Sequence, residues 1–286
     1  MRRERLSLMT FNMNLDILLR KMSIRDTMEL AKEESIPYVD LMQLKGKKIP
    51  RYLAAMKETG IKAGCYVESV SFLSGEADLR THLRKALKTT QVLSAQRLMI
   101  VPYSGLGDLR RFQQMARDQV LQKMIDGFQT AVQEGEAAGI PVCFETTPHD
   151  ELCLSGAEDC LSILRTVNGL GLVFDTANML SHGDDPLTAY ETLKQYIVHV
   201  HLKDVALEDS RKSNVLLEHS KDGRLMRCVV WGEGVVPIAE LYRRMNADGY
   251  EGLFAIEYNH PAKFLCGPEE HLAHLRRFGQ ALEKAT

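Results

Sequence analysis

Ile197-Val198-His199-Val200-His201-Leu202-Lys203-Asp204 decides how the chain is read. It is a short apolar run in which every second position after Ile197 is polar and ionisable. Side chains at i and i+2 of a strand share a face, so His199, His201 and Lys203 stand on one side and Val198, Val200 and Leu202 on the other. Runs of the same kind end in a carboxylate at Pro141–Glu145, Leu170–Asp175 and Leu253–Glu257. Working outward, further strands are read at Leu6–Phe11, Tyr38–Met42, Lys62–Val67 and Arg97–Val101, with the present one at Ile197–Leu202. That makes eight.

The segments between the strands have helical signals. Ser23 followed by Asp26 reads as an N-cap with an acidic third position, and Asp185-Pro186 places proline where a helix tolerates it. Helices are expected over Pro50–Thr59, Asp78–Leu93, Leu109–Ala138, Ser155–Val167, Pro237–Met245 and Pro268–Glu283. The long one carries a core stripe of Met115, Val120, Met124 and Phe128. Strand followed by helix, eight times, predicts parallel strands with right-handed crossovers. The expected fold class is α/β, a single (β/α)8 TIM barrel over residues 1–286, since about 250 residues suffice for one. The interval from His201 to Glu257 is nearly twice its neighbours, so an extended βα loop is expected over about 204–234. Asp222-Gly223, with Val215-Leu216-Leu217 before it and Leu225-Met226 after it, signals a hairpin there.

Composition narrows the function. At 45% hydrophobic and 26% charged, with formal net charge −2, the chain lacks the basic excess that phosphate backbones demand, so nucleic acid is excluded as its main partner. No run reaches the roughly 18 apolar residues of a membrane span, and no signal peptide is read at the start. Six cysteines without C-x-x-C spacing argue against a zinc ribbon or a disulfide framework and fit a reduced, cytoplasmic protein. No phosphate-cradling glycine motif is present, so no nucleotide cofactor is expected.

Catalytic groups of TIM barrels sit at the C-terminal ends of the strands. Glu145, Asp175, His201 and Glu257 occupy those ends, with Cys143, Val173, His199 and Ala255 one layer below. Three clustered carboxylates would shift one another's titration unless a cation neutralised them. Oxygen-rich ligation with one imidazole suits Mn²⁺ or Mg²⁺, with Co²⁺ or Zn²⁺ as alternatives. Alone, Asp175 reads equally well as a helix cap and His201 as a core histidine; the joint pattern favours a metal centre. His199 reads as a deeper histidine supporting the site, and Lys203 as a partner of a substrate anion or of Asp204.

Glu145, Val173-Phe174-Asp175-Thr176-Ala177-Asn178, His199-Val200-His201-Leu202-Lys203-Asp204, Gly232-Glu233-Gly234 and Gly249-Tyr250-Glu251-Gly252 leading to Glu257 resemble the xylose-isomerase-like sugar phosphate isomerase/epimerase superfamily. The resemblance implies Glu145, Asp175, His201 and Glu257 as metal ligands, with Glu145 and Glu257 also the catalytic acid/base pair. It implies a ketose, sugar phosphate or related polyol as substrate, isomerised or epimerised through a metal-stabilised enediolate. Substrate contacts are implied for Glu151 and expected for Asn178, His199 and Lys203. Asn178 stands where many relatives carry histidine, which puts a histidine-assisted variant in doubt. Relatives are often dimers or tetramers, and a homo-oligomer stays open. The alternative on the same scaffold is a metal-dependent dehydratase of the inosose or dehydroshikimate type, and after it a non-enzymatic sugar-binding protein. A DNA-cleaving relative is disfavoured because the second and third strands hold no histidine.

Overall fold

The computed structural model describes residues 3–208, 218–258 and 267–285. Its strands are β1 Leu6–Met9, β2 Tyr38–Met42, β3 Lys62–Ser69, β4 Arg97–Val101, β5 Val142–Glu145, β6 Gly171–Asp175, β7 Ile197–Leu202, β8 Asp204–Glu208, β9 Glu218–His219, β10 Leu225–Val229 and β11 Phe254–Ile256. Eight of them close a barrel in the order β1-β11-β7-β6-β5-β4-β3-β2, and β8, β10 and β9 form a separate three-stranded sheet. The eight expected strands are the eight of the barrel, with ends moved by a few residues. By its internal packing the chain forms two units, Met1–Gly64 with His199–Thr286, and Cys65–Val198.

In the first unit β1 pairs in parallel with β2 (Met9 opposite Asp40) and with β11 (Leu8 opposite Ile256), and β11 pairs with β7 (Ala255 opposite His201). The helix Ile24–Glu33 begins at the expected cap. The Ser23 hydroxyl accepts from Asp26 N at 3.1 Å while the Asp26 carboxylate accepts from Ser23 N at 2.6 Å. Phe254 on β11 packs on Tyr242 of the helix Ile238–Ala247, ring centroids 5.0 Å apart. Its neighbours Ala255 and Glu257 therefore point the other way, as strand alternation requires. The stretch after β7 holds β8, β9 and β10, with β10 in the middle and antiparallel to both of the others. Asp222-Gly223 makes the turn between β9 and β10, Gly223 at φ 83°, while Val215-Leu216-Leu217 lies outside the described residues.

In the second unit β3, β4, β5 and β6 pair in parallel in chain order. Phe144 packs on Phe128 of the helix Arg117–Ala138 with ring centroids 4.9 Å apart, and Phe174 meets Tyr190 of the helix Pro186–Leu193 edge-on at 6.2 Å. These contacts put the aromatic faces of β5 and β6 against helices and turn Glu145 and Asp175 away from them. The single helix expected over Leu109–Ala138 is in fact two, Leu106–Phe112 and Arg117–Ala138. The second has its own start, where Ala116 N donates to the Gln119 side chain at 3.3 Å. Met115 falls in the break, while Val120, Met124 and Phe128 are core as expected. Pooling both segments into one apolar period hid the break.

Gly127 sits where that helix meets Phe72, whose ring lies edge-on to Phe128 at 4.9 Å. A Cβ at Gly127 would overlap the Phe72 ring. Gly127→Ala gains about 1 kcal/mol of helix propensity but forces an overpacked core, typically about 1–3 kcal/mol. The net outcome expected is a lower urea midpoint at unchanged slope; a higher midpoint would show that Phe72 moves aside at no cost.

Candidate metal centre

Glu257 follows β11 directly and is buried, its backbone N–H donating to Leu202 O of β7 at 3.1 Å. Its Oε2 lies 2.9 Å from His201 Nδ1 and its Oε1 3.5 Å from Lys203 Nζ. Burial pushes the Glu257 carboxyl up, but Lys203 and His201 outweigh it and hold the group well below the usual carboxylate range. Lys203 thus faces Glu257. The alternative partner, Asp204, spends its carboxylate on the N–H groups of Gly232, Gly234, Val236 and Val205 at 2.8–3.2 Å. Asp204 thereby folds the Gly232-Glu233-Gly234 turn over the start of β8. A side chain at Gly234 would strike both Asp204 and Val205 O.

One layer down, His199 is fully buried and its Nε2 donates to Asp40 Oδ2 at 2.6 Å. Asp40 Oδ1 accepts from Ser7 Oγ at 2.7 Å, and Asp40 Oδ2 is 3.7 Å from His201 Nε2. His201 is therefore flanked by two carboxylates, Glu257 at Nδ1 and Asp40 at Nε2. Burial raises the Asp40 carboxyl, yet the two imidazoles more than offset it and keep the group far below its ordinary value of 3.8. His199 lies buried away from solvent, against Asp40. Asp40 was not foreseen as its partner; the signal was a lone carboxylate in the apolar run of β2.

In the second unit Glu145, half-buried, and Asp175, fully buried, end the adjacent strands β5 and β6. Asp175 Oδ1 accepts from Ala177 N and Asn178 N, both at 2.8 Å, capping the turn Asn178–Ser181. The N-cap position of that turn is Ala177, so Asp175 holds its start from two residues upstream through one oxygen, and Oδ2 takes no part. Asp175 N donates to Thr146 Oγ1 at 3.1 Å, and Asn178 Nδ2 to Thr146 O at 2.8 Å. Asn178, expected at the substrate, uses its amide nitrogen to brace the end of β5. Thr146, directly after Glu145, escaped the sequence reading because nothing marks a threonine there as a hub. Glu151 lies in the turn Asp150–Leu152, where its carboxylate accepts from Gln113 Nε2 at 3.2 Å and lies 3.8 Å from His149 Nδ1.

The donor atoms of the first unit fit a divalent cation. Ligand atoms about 2.1 Å from an octahedral ion lie about 3 Å from each other, and His201 Nδ1 and Glu257 Oε2 already have that spacing. A ligating imidazole needs its other nitrogen oriented by an acceptor, and Asp40 stands on that side of His201. No helix among the described residues is long and apolar enough to cross a membrane.

The fold has counterparts. The chain belongs to the xylose isomerase-like TIM barrel family, whose model matches residues 26–281. Among curated relatives, the inosose dehydratase 1 of Bacillus cereus (strain ZK / E33L) is 35% identical over 121 residues, 41% of this chain and 38% of that protein. The match therefore spans well under half the length of that relative. Among solved structures, an IOLI protein with a bound zinc atom superposes with TM-score 0.73 at 17% identity, covering 99% of both chains. The probable 3-DHS dehydratase AsbF of Bacillus anthracis does so with TM-score 0.70 at 14% identity, covering 95% of this chain and 97% of that one. At such identities the two structures establish the fold.

Removing the Asp40 carboxylate takes the acceptor from His199 Nε2 and a counter-charge 3.7 Å from His201 Nε2. Asp40→Ala is expected to cost about 3–5 kcal/mol in urea unfolding, the range for breaking a buried ionic pair. Because the folded-state carboxyl is depressed, its stabilisation is complete above pH 3.8 and drains away as pH falls below it. Asp40→Asn should therefore flatten the acid limb of the stability profile as pH falls below 3.8 relative to the wild type; parallel limbs would show that Asp40 is not ionised by its partners.

Proposed function

We propose that this chain, acting as one barrel, is a divalent-metal-dependent dehydratase of a cyclic polyhydroxy ketone of the inosose class. The observation that carries the reading is Glu257, a buried strand-end carboxylate held ionised between an imidazole and an ammonium group. Glu145, Asp175, His201 and Glu257 are the proposed metal ligands; Glu145 and Asp175 close β5 and β6 in one unit, and His201 near the end of β7 and Glu257 just after β11 meet in the other. The sequence reading placed isomerisation or epimerisation first and dehydration second. The inosose dehydratase relatives reverse that order.

When bound, the ion would draw electron density from the substrate carbonyl and acidify the neighbouring C–H; Mn²⁺ and Mg²⁺ suit the donor set, and the zinc held by the IOLI protein keeps Zn²⁺ in contention. Glu257, kept as a carboxylate by Lys203, is assigned the proton from the carbon beside the carbonyl. The electrons of that C–H bond become the new C=C bond. The hydroxyl on the next carbon leaves with the C–O pair, takes a proton from Glu145 and departs as water. Epimerisation would share the first proton transfer and return the proton to the carbon. Glu151 is proposed to meet substrate hydroxyls, while Asn178 and His199 contribute by bracing Thr146 and Asp40.

The test is metal content and product together. Elemental analysis should find close to one divalent ion per chain after loading with Mn²⁺ or Co²⁺, and loss of it in Glu257→Gln and His201→Ala. Incubation with an inosose should build an ultraviolet chromophore, at a rate lowered by about 10²–10⁴ in Glu257→Gln. An epimerised ketone without the chromophore would return the reading to the epimerase. A wild-type chain that takes up no ion would sink the metal chemistry itself.

A further inference from the structure

β1 stops at Met9 and its ladder with β11 ends at the pair Leu8–Ile256. Glu257 lies one residue beyond, where the register sets Met9 opposite it without a ladder pair. The side chain of Asn12, in the turn Thr10–Met13 that follows β1, takes the place of that pair. Its Nδ2 donates to Ile256 O at 3.0 Å and its Oδ1 accepts from Tyr258 N at 2.9 Å. Donating to the carbonyl before a residue and accepting from the amide after it is how a strand residue bonds its parallel partner. The Asn12 carboxamide therefore acts as a peptide group set opposite Glu257. On the other side Glu257 N is bonded to Leu202 O at 3.1 Å, so the backbone is held from both flanks.

A second anchor comes from the same segment. The Tyr258 hydroxyl lies 3.0 Å from His271 Nδ1, and His271 Nε2 lies 3.3 Å from Asp16 Oδ2. All three groups are buried. Asp16, four residues after Asn12, thus ties the side chain of residue 258 while Asn12 ties its amide.

We propose that Asn12 is a positioning residue that sets where the Glu257 carboxylate stands, by extending the β1–β11 ladder one residue past its last pair, Leu8–Ile256. The inference rests on the proposed role of Glu257 as a metal ligand and base. An Ala at position 12 loses both bonds. An Asp keeps an acceptor for Tyr258 N but sets a carboxylate oxygen against Ile256 O, so it loses one bond and adds a repulsion.

The experiment compares wild type, Asn12→Ala and Asn12→Asp by amide hydrogen exchange at Tyr258 and by Mn²⁺ titration calorimetry, with thermal unfolding as the measure of folding. Expected are Tyr258 exchange at least about tenfold faster in the Ala variant and Mn²⁺ affinity lowered about 10–100-fold, the range seen when groups orienting a ligand are removed. A general structural defect would instead speed exchange throughout β1 and β11. If Asn12→Ala does not fold, Asn12→Asp decides by the same two measurements. Unchanged Tyr258 exchange in a folded variant overturns the clamp. Faster exchange with unchanged Mn²⁺ affinity overturns its effect on Glu257. A wild type that binds no Mn²⁺ overturns the metal reading and the positioning role built on it, while the Tyr258 exchange rate still decides whether the clamp exists.

Discussion

The burial of Glu257 is the constraint from which the first unit follows. A carboxylate taken out of water without compensation would neutralise itself rather than stay charged. His201 at 2.9 Å and Lys203 at 3.5 Å supply the compensation. Each partner creates a further requirement. His201 has the Asp40 carboxylate 3.7 Å from its second nitrogen; Asp40 is itself a buried anion and needs His199 and the Ser7 hydroxyl. The chain of obligations ends there, because His199 and Ser7 are already on strands of the barrel. Even Gly64 belongs to it, since a Cβ there would lie 2.7 Å from Asp40 Oδ1 and 2.8 Å from the Leu253 side chain. A network of this kind is weak evidence of extra stability; its value is that each member permits only one placement of the next.

The second unit solves the same problem with backbone groups instead of charges. Asp175 is fully buried and settles one oxygen on two N–H groups of the turn after β6. Thr146 and Asn178 then lace the ends of β5 and β6 together. The reading of Asp175 as a cap and the reading of it as a ligand do not compete, because a carboxylate has two oxygens and the cap uses one. Asp204 in the first unit shows the limiting case, in which four backbone donors take the whole carboxylate and the residue becomes the organiser of a turn.

Dehydration and epimerisation of a polyhydroxy ketone begin with the same proton transfer, so a ligand set cannot choose between them. The choice lies in what meets the hydroxyl on the next carbon. That is decided by loops, and loops on this face of a barrel vary while the strand ends stay. A relative carrying a dehydratase name therefore says more about reaction class than the strand-end residues do, although it aligns with only 41% of this chain.

Residue order by itself determined the eight strands and the α/β class, and it singled out Glu145, Asp175, His201 and Glu257 as candidate ligands. These are local matters: strand period, a polar residue ending an apolar run, and a capping pair such as Ser23 and Asp26 all operate within a few residues. Pairings across long separations were decided only by the tertiary structure. Asp40 meets His199 from 159 residues away, and Asn12 meets Ile256 and Tyr258 from more than 240. The partner of Lys203, the hub at Thr146 and the break before Arg117 were decided there too. A side-chain hydrogen bond depends on which strand ends the closed barrel brings level, and nothing in the residues next to Asn12 or Asp40 encodes that level.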